Sequence, residues 1–540
     1  MPIRLVPDKN KRRAQPRKRQ PTRRTTRQAG GGFSGGGGLG NLVGLLLPLV
    51  SKNPKLLIVV IVVGALFYFF GMKGCESTSL PSSESFEQAP LYNRGTSFNA
   101  AMYAETEIYE PLADNRKNPL PERVDLRQYC PTVKNQGQQG SCVAWAAAYA
   151  GRTIIEAQRT GQNADDIAFS PSFMYNQIKI KNSNCQGSYI KRAMDNMLKQ
   201  GAVDFDDFRY TDQDCSVLPS RALMQKAARF KTKGFQRLTN ESMGKTYEML
   251  AMKQNLAKGS PVIIGMMVGG SFMQNMLNKP AWIPTQEDYD QHGFGGHAMC
   301  VVGYDDYLNG GSFLLMNSWG TNWGKDGFAW VRYSDFRAFN KEAYGIYPMG
   351  NIEKDSQTRF SGSFGLEDVE RKRNIALRQV RGNYFETAQD LRKSTAGNFD
   401  GTKFKIEFTN NIECYTYVLG NNGSQSINLF PYTAKHSPYC GITGTRLFPR
   451  EESLQPDEIG SKDEFAIVIT KKPIDFVELN NFINNSKAYA FQDKIGYALE
   501  KMHEDVVEQP NFKIENGLVT FETSAKSKAA VVMLIGVNKK

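Results

Sequence analysis

A polar, turn-forming loop delivers one cysteine to the start of a helix-forming run. The loop covers residues 135–141 and contains Gly137 and Gly140, and the run that follows Cys142 is rich in alanine as far as Ala150. A cysteine at a helix N-terminus meets the positive end of the helix dipole and unpaired backbone N–H groups, which favour the nucleophilic thiolate. A buried structural cysteine is the alternative at such a position. The loop therefore predicts either a nucleophile or a core thiol at Cys142.

Helical and strand-like patterns divide the region around this loop, residues 123–350, into two halves. The predicted helices cover residues 141–159, 170–180 and 189–200, and the predicted strands cover residues 261–268, 297–304, 312–317 and 328–333. Apolar residues at helical spacing come first, and short apolar runs between Gly-rich turns follow. This order predicts an α+β domain built from a helical lobe and a β-rich lobe.

The net charge of +13 comes from the N-terminal segment and not from the folded part. Residues 1–55 hold 13 Lys and Arg residues and one acidic residue, which leaves 54 basic and 53 acidic residues for the rest. A nearly neutral folded part gives no support for nucleic-acid binding. Residues 1–55 are basic and Gly-rich without periodicity, so we expect a disordered tail there.

A membrane-spanning helix is predicted at residues 56–72. These 17 residues carry no charge and lie between Lys55 and Lys73, and as a helix they extend about 26 Å, which is adequate for one crossing. The basic residues before the span place that side in the cytoplasm, so everything after it is expected outside. A cleaved signal peptide is the rival interpretation, but its apolar region would lie nearer the N-terminus. Residues 73–122 are polar and predict a stalk or a short pro-segment.

Two residues far along the chain make Cys142 a catalytic candidate. His297 opens a predicted strand, and Asn317 follows at the end of another. An imidazole can take the thiol proton and return it to a leaving amine near neutral pH. An asparagine oxygen can orient that imidazole without adding charge. Gln136, six residues before Cys142, can donate its amide N–H groups to a developing oxyanion.

The motifs around these residues resemble those of the papain-family cysteine peptidases. In chain order they are Gln136-Gly137, Gly140-Ser141-Cys142, Gly296-His297-Ala298, Val302-Gly303-Tyr304 and Asn317-Ser318-Trp319-Gly320 with Trp323, Gly324 and Gly327. The resemblance implies a papain-like fold, with a helical left lobe, a β-rich right lobe and a cleft between them. It implies Cys142 as nucleophile, His297 as general acid and base, and Asn317 as the residue that orients His297. Gln136 is implied in the oxyanion hole.

The chain departs from the family pattern near the nucleophile. Gln139 stands where a cysteine is usual, and Val143 stands where a tryptophan is usual. The resemblance implies substrate-backbone binding by Gly187 and Ser188, and Gly296 leaves room beside the base. Cys185 and Cys215 lack the partners that the family pattern would give them, so we predict that they pair with each other: Cys185–Cys215.

Several features are similar to the bacterial branch of the family. They are Val124-Asp125-Leu126-Arg127, the short segment ahead of the domain, and Gln138-Gln139 before the Gly-Ser-Cys sequence. With the predicted span, this similarity implies a single-pass inner-membrane protein with a cytoplasmic N-terminus and a periplasmic catalytic domain.

The region after residue 350 predicts a linker, residues 351–400, and a mainly β domain, residues 401–540. Predicted strands cover residues 403–408, 415–419, 426–430, 464–470, 518–522 and 529–537, with a helix at residues 488–502. Cys414 and Cys440 lie on neighbouring β segments and can form a disulfide outside the cytoplasm. The pattern weakly resembles a β-sandwich module, which leaves two interpretations: binding of an envelope or protein ligand, or stabilisation as an accessory domain.

The sequence thus predicts a thiol-dependent endopeptidase that acts on peptide or protein substrates. An envelope amidase or transpeptidase would use the same Cys142 and His297 pair, and an inert peptide-binding scaffold is the non-enzymatic alternative. No metal or other cofactor is expected, because no Cys and His cluster has ligand spacing. Cys130 is left open as a free thiol or as a partner of Cys75 or Cys300.

Overall fold

The computed structural model describes residues 3–7, 92–114, 116–239, 245–347, 358–395, 398–421, 423, 425–507, 510–525 and 529–539. The predicted membrane span at residues 56–72 lies outside these ranges, as does most of the predicted tail. Within the described ranges, no helix is both long and apolar enough to cross a bilayer. The described residues form one compact unit.

The helices between residues 142 and 227 build one lobe of the first domain, whereas the helices at Ala100–Glu105 and Lys245–Ala257 pack against the sheet of the second lobe. In chain order, these helices are α1 (Ala100–Glu105), α2 (Cys142–Ala144), a π-helix (Trp145–Arg152), α3 (Thr153–Thr160), α4 (Pro171–Ile178), α5 (Ile190–Lys199), α6 (Arg221–Ala227) and α7 (Lys245–Ala257). Local sequence explains their ends: Ser170 caps α4 by accepting from the Phe173 N–H at 3.0 Å, and Pro171 occupies the first turn. The predicted helix at residues 141–159 is real, but its middle is a π-helix.

A twisted sheet forms the second lobe. Its strands are β2 (Arg123–Asp125), β3 (Phe235–Arg237), β4 (Val262–Val268), β5 (Ala281–Trp282), β6 (Gly295–Asp305), β7 (Ser312–Met316), β8 (Phe328–Arg332) and β9 (Asn340–Ile346). The order across the sheet is β3-β9-β4-β6-β7-β8-β5, with β2 beside β6. Two further helices, α8 (Gly270–Gln274) and α9 (Tyr333–Phe339), lie in the connections. The two lobes share one apolar core, which fixes β6 against the helix that begins at Cys142.

The C-terminal region contains two packed sheets and a separate pair of strands. Its strands are β10 (Thr358–Asp368), β11 (Arg373–Asn374), β12 (Leu377–Arg381), β13 (Tyr384–Thr387), β14 (Arg392–Thr395), β15 (Asn398–Gly401), β16 (Phe404–Asn410), β17 (Cys414–Asn421), β18 (Ser426–Phe430), β19 (Tyr439–Cys440), β20 (Gly444–Phe448), β21 (Glu452–Pro456), β22 (Lys462–Thr470), β23 (Asp505–Val506), β24 (Asn511–Glu515), β25 (Leu518–Ala525) and β26 (Ala529–Asn538). One sheet runs β21-β16-β10-β25-β24 and the other β12-β13-β26-β22-β17-β18. Helices α10 (Phe476–Asn485) and α11 (Phe491–Lys501) cover the second sheet.

The prediction of a linker at residues 351–400 is wrong. Strands β10 to β15 begin at Thr358 and belong to this β-rich region. Phe360, Phe364 and Leu366 are fully buried at alternating positions of β10. The serine and glycine residues between them obscure that alternation in the sequence.

The N-terminus contributes a strand that the sequence analysis does not predict. β1 (Ile3–Pro7) pairs antiparallel with β21, with Arg4 opposite Gln455 and Leu5 opposite Leu454. This pairing extends the first sheet of the β-rich region by one strand. The five residues are therefore not part of a disordered tail.

The cysteine predictions have different outcomes. Cys185 and Cys215 are joined by a disulfide. Cys414 and Cys440 are free thiols, so the prediction of a disulfide between them is wrong. They are direct cross-strand partners on β17 and β19, but Cys414 Sγ makes a 3.6 Å contact with the Thr416 hydroxyl and Cys440 Sγ lies 3.8 Å from the Pro438 carbonyl oxygen. Cys130 is also free.

Candidate active site

Cys142 is the first residue of α2 and faces the strand that carries the histidine. Ser141 precedes the helix, and the backbone N–H of Trp145 closes its first turn on the Cys142 carbonyl. The Cys142 Sγ accepts from the Ala298 N–H at 3.4 Å. Since Ala298 follows His297 directly on β6, this contact places the thiol beside the imidazole.

His297 and Asn317 form the second part of the site. The His297 Nε2 lies 2.7 Å from Asn317 Oδ1, so Asn317 accepts from the Nε2–H. This bond fixes the tautomer and leaves Nδ1 as the nitrogen that can exchange a proton. Nδ1 has no hydrogen-bond partner among the described residues. The ring is thus oriented by Asn317 and available for acid–base work on its other side.

Trp319 packs flat on the imidazole. The two ring centroids lie 4.2 Å apart with an interplanar angle of 24°, and Trp323 meets Trp319 edge-on at 5.7 Å. Trp319 therefore covers one face of His297, and Trp323 supports Trp319 from the side. Trp319 has a second contact, because its Nε1–H donates to the Asn93 carbonyl at 2.8 Å.

Gln136 lies fully buried next to the nucleophile loop. Its Oε1 accepts from the Ser318 hydroxyl at 2.7 Å, and its Nε2 donates to the Gln139 carbonyl at 2.9 Å. Ser318 fixes which end of the amide carries the donors, so the NH₂ group points into the loop that ends at Cys142. The resemblance did not assign a role to Ser318.

A segment after residue 205 supports the nucleophile loop where the usual cysteine and tryptophan are missing. The Tyr210 hydroxyl donates to the Gln136 carbonyl at 2.7 Å and contacts the Ser141 hydroxyl at 2.7 Å. Asp212 accepts from the Gln138 N–H at 3.0 Å. Nothing in the sequence motifs marked Tyr210 or Asp212, because loop support depends on a contact about 70 positions away.

An extended segment of the chain covers the cleft. Residues 92–99 pass over the site, and Cys142 and His297 are both completely buried beneath them. The Thr96 hydroxyl lies 3.3 Å from Cys142 Sγ. Tyr92 stacks on Trp319 at 4.8 Å, and a Cβ atom on Gly265 would lie 2.7 Å from the Phe98 ring. The segment therefore blocks the nucleophile with a side-chain hydroxyl, which offers no carbonyl carbon for attack.

Main-chain hydrogen bonds hold this segment on both sides. Ser188 donates its N–H to the Gly95 carbonyl at 2.8 Å and accepts from the Ser97 N–H at 2.9 Å. The Gly296 carbonyl accepts from the Thr96 N–H at 3.0 Å. A Cβ atom on Gly296 would lie 2.1 Å from the Thr96 carbonyl oxygen, so a side chain there would prevent this approach.

The predicted substrate-binding residues thus all border the peptide in the cleft. Gly187 adopts a left-handed φ of 104°, and its N–H donates to the Tyr175 hydroxyl at 3.1 Å. This conformation presents the backbone of Ser188 to the cleft. The site holds an extended main chain, and it also contacts side chains of this stretch, because Arg94 Nη1 donates to the Val268 and Gly293 carbonyls at 2.9 Å.

Burial keeps the catalytic pair neutral while the cleft is covered. Burial raises the pKa of the Cys142 thiol, against the smaller effects of the Thr96 hydroxyl and the Ala298 N–H. Burial lowers the pKa of His297 to about 4, although the bond to Asn317 acts in the opposite direction and Arg94 adds to the lowering. The covered protein therefore holds a thiol and a neutral imidazole, a resting form that is chemically unreactive.

The other candidate groups lie elsewhere. His292 is exposed on a loop, and His436 and His503 lie in the β-rich region. Among the described residues, no group of three or more His, Cys, Asp or Glu side chains is arranged to hold a metal ion. The arrangement that remains is a thiol, an oriented imidazole and amide donors around an extended peptide.

Comparison with known proteins agrees with this chemistry. Residues 120–349 match the papain family cysteine protease family. Mouse cathepsin K is 29% identical over 258 residues, which cover 47% of this chain and 69% of that protein. An uncharacterized peptidase C1-like protein of Acanthamoeba polyphaga mimivirus is 29% identical over 200 residues, which cover 36% of this chain and 62% of that protein.

Among solved structures, xylellain, a cysteine protease from Xylella fastidiosa, superposes with a TM-score of 0.38 at 24% identity. The match covers 50% of this chain and 98% of xylellain. The family match spans the stretch that carries Gln136, Cys142, His297 and Asn317. Residues 120–349 therefore form a papain-family cysteine protease domain, and the chain that carries it is a cysteine peptidase.

Proposed function

We propose that this chain is a papain-like endopeptidase that cleaves extended peptide segments through an acyl-thioester intermediate. The observation that carries the proposal is the covered cleft itself. Ser188 and Gly296 bind the main chain of residues 95–97 directly above Cys142. A site that binds a peptide backbone from both sides above a thiol and an oriented imidazole is suited to peptide-bond cleavage.

The first half of the reaction begins when the cleft opens to a substrate. His297 Nδ1 takes the thiol proton of Cys142, and the resulting imidazolium is held by the Nε2–H bond to Asn317. The thiolate attacks the substrate carbonyl carbon and forms a tetrahedral oxyanion. The Cys142 backbone N–H and the Gln136 amide stabilise that charge, which is the largest contribution expected from a preorganised site.

The second half returns the enzyme to its starting state. The imidazolium gives its proton to the leaving amine, which departs and leaves an acyl group on Cys142 Sγ. Water then enters, His297 removes a proton from it, and the hydroxide attacks the thioester. The thiolate leaves and takes back the proton held by His297, and the new carboxylic acid releases its proton to solvent and becomes a carboxylate.

We further propose that residues 92–105 belong to a pro-segment. They cover a complete catalytic site, and the Thr96 hydroxyl occupies the position beside Cys142 Sγ. A substrate can reach the site only after residues 92–99 leave the cleft. The full chain is thus proposed to be a precursor.

Anchoring in a membrane is the part of the proposal that rests on sequence. Residues 56–72 lack charge, and 13 basic residues precede residue 56, which favours a cytoplasmic N-terminus and an extracytoplasmic peptidase domain. With the features similar to the bacterial branch, the proposed location is the inner membrane with a periplasmic catalytic domain.

The pairing of β1 with β21 sets a condition on that topology. Two strands cannot exchange backbone hydrogen bonds across a bilayer. If residues 56–72 span the membrane once, β1 lies on the side opposite the β-rich region. The anchored form therefore requires that the pair between Ile3–Pro7 and Glu452–Pro456 is open.

Hydrolysis and acyl transfer to an amine are separated by the fate of the acyl group. Cleavage of a peptide in ¹⁸O-labelled water with an added amine nucleophile distinguishes them. We expect products whose new carboxylate contains ¹⁸O, and no product from the Cys142→Ala variant. Products formed only as amides would favour the transpeptidase alternative. Binding of the peptide without any turnover by the processed protein would favour the inert scaffold.

A further inference from the structure

Residues 106–118, here called the connector, are built into the body of the protein although they lie in the predicted stalk. Thr106, Ile108, Tyr109, Glu110 and Leu112 are each at least 96% buried. Such burial is typical of a core strand and unusual for a linker that is removed.

The connector lies between the peptidase domain and the β-rich region and bonds to both. On the peptidase side, the Tyr109 N–H donates to the Arg237 carbonyl at 3.1 Å, and the Arg237 N–H donates to the Glu107 carbonyl at 3.0 Å. On the other side, the Ile108 N–H donates to the Lys435 carbonyl at 2.7 Å. The connector therefore acts as a shared strand between the two parts.

Two further contacts continue this double attachment along the connector. The Gln254 side chain accepts from the Leu112 N–H at 3.0 Å and donates to the Leu112 carbonyl at 3.1 Å. The Ala113 N–H donates to the Thr445 carbonyl at 2.8 Å. Buried backbone groups would lose these partners if the connector were removed, at a cost of about 1–3 kcal/mol for each unsatisfied group.

Buried charge pairs tie the connector to the β-rich region. Glu110 lies 3.1 Å from Arg450 and 3.3 Å from the Tyr432 hydroxyl, and Lys117 lies 2.7 Å from Glu407. Removal of the connector would leave Arg450 and Glu407 without these partners in a buried setting, which is strongly unfavourable.

The chain just before the connector is different. Asn99, Ala100, Ala101 and Glu105 are exposed, and α1 is a helix of only six residues. Its half-buried side docks through Tyr103, whose hydroxyl bonds Thr239 and Ala343 and whose ring meets Tyr344 edge-on at 5.2 Å. A short exposed helix opens locally at low cost, which is the condition for attack by a protease.

We infer that the maturation cut falls within residues 99–105 and that the connector stays in the mature enzyme as the strand that joins its two domains. This inference rests on the proposed function, in which residues 92–99 must leave the cleft. A cut in residues 99–105 separates the covering segment from the connector. A cut in residues 119–122, at the start of the peptidase domain, would leave the covering segment joined to a strand that both domains hold.

The cut is an ordinary hydrolysis made by another peptidase molecule. One peptide bond breaks, one water is consumed, and a carboxylate and an amine form. While residues 92–99 cover Cys142, the chain's own thiol is out of reach of a substrate, so the first cut is assigned to another peptidase molecule.

The experiment compares two full-length chains that carry the same recognition sequence for a site-specific protease. One chain has it inserted after Ala101 and the other after Pro119, and both positions are exposed. After cleavage, iodoacetamide labelling of Cys142 is followed by peptide mass spectrometry. The two cut chains differ in one respect. The N-terminal fragment contains the connector after the second cut and lacks it after the first, so each chain is the control for the other.

We expect the cut after Ala101 to raise the labelling rate of Cys142 by at least about tenfold over the uncut chain. The cut after Pro119 should leave it within about twofold, because the connector still holds the covering segment. Equal exposure after both cuts, or protection after both, would overturn the inference. The labelling needs only an accessible thiol. If the labelling follows the expected pattern but the processed protein has no peptidase activity, the result counts against the proposed function and leaves this inference standing.

N-terminal sequencing of naturally matured protein gives an independent result. A mature chain that begins at residues 100–106 supports the inference. A mature chain that begins at residues 119–124 contradicts it.

Discussion

At the level of single residues, the proposed acid–base role of His297 depends on how Asn317 holds its ring. The Asn317 Oδ1 accepts from the imidazole at 2.7 Å. Replacement of Asn317 by Ala frees the ring to rotate and to exchange its tautomer, so we expect kcat/KM to fall by about tenfold to a hundredfold. The melting temperature should change little in comparison. Asn322→Ala, in the exposed loop next to the same motif, is the matched control and should retain full activity; equal losses of activity and stability for Asn317→Ala would make the residue structural.

The pKa of His297 predicts how the covered cleft responds to acid. Burial lowers this pKa to about 4, whereas an open cleft should return it toward its ordinary value of about 6.5. The open form then binds more protons between these values, so covering is fully favourable above pH 6.5 and weakens as the pH falls toward 4. Taken alone, the change in the pKa of His297 is expected to raise the opening equilibrium of residues 92–99 on the order of tenfold from pH 7 to pH 5.

Hydrogen exchange measures this opening when the rates are corrected for the intrinsic effect of pH. Glu342 is an opposing group, because burial raises its pKa to about 7 and it accepts from the Asn99 N–H. The Glu342→Gln variant removes that opposition and should show the larger pH response. Exchange that is independent of pH in this variant would contradict the role given to His297.

The residues proposed to carry the chemistry could be named from the sequence, but the residues that support them could not. Cys142, His297 and Asn317 occur in motifs whose residue types are required by the reaction. Ser318 and Tyr210 act by bonding to Gln136 across 182 and 74 positions, and any hydroxyl in the right place could do the same. The sequence has no local signal for such a contact.

At the scale of elements, Tyr210 stabilises the loop that ends at Cys142. Its hydroxyl bonds both the Gln136 carbonyl and Ser141, and its ring packs edge-on against Trp145 at 4.7 Å. Tyr210→Phe keeps the ring and removes the two hydrogen bonds, which should cost about 1–2 kcal/mol of stability. We expect the rate of Cys142 acylation to fall more than KM rises, because the loop positions the nucleophile and the oxyanion donors.

Tyr417→Phe is the control for this substitution, because the Tyr417 hydroxyl also makes two hydrogen bonds, both to Ile474 in the β-rich region. Rates of acylation are measured by single-turnover kinetics with an activated ester. A Tyr210→Phe enzyme with unchanged acylation and the same loss of stability would show that the loop is held by packing alone.

The strands with a regular apolar pattern were predicted from the sequence. β10 and the connector were not, and each has its own physical reason. Strands β4, β6 and β7 are buried on both faces and read as continuous apolar runs. β10 was hidden because Gly362 and Gly365 lie between its buried residues, and a Cβ atom on Gly362 would meet the Thr409 carbonyl oxygen at 2.4 Å. Close strand approach required small residues where the pattern expects larger ones. The connector was missed because its burial comes from two domains at once.

At the scale of the whole molecule, the β-rich region has a defined task within this chain. It holds the connector through backbone bonds and through the Glu110–Arg450 and Lys117–Glu407 pairs. This supports the accessory interpretation of residues 401–540, in which the region fixes the segment next to the cleft. A cut within residues 99–105 would also separate the peptidase from residues 56–72, so maturation should move the activity from the membrane to the soluble fraction.

The proposed topology is tested by cysteines placed across the β1–β21 pair. Arg4 and Gln455 are cross-strand partners, so the double variant Arg4→Cys, Gln455→Cys can form a disulfide only when β1 and β21 meet. In intact cells treated with an oxidant we expect no cross-link in the membrane-bound chain. Thr409→Cys with Thr445→Cys, partners inside the β-rich region, is the positive control. A cross-link between residues 4 and 455 in that fraction would contradict a single span at residues 56–72.

The central claim is that Cys142 is a peptidase nucleophile that residues 92–99 keep covered. The most direct measurement is peptide mapping after treatment with an epoxide inhibitor of papain-like enzymes, for the intact chain and for the chain processed within residues 99–105. We expect an adduct on Cys142 in the processed protein, little or none in the intact chain, and none in the Cys142→Ser variant. An unlabelled Cys142 in processed protein, or equal labelling of Cys142 before and after processing, would contradict it.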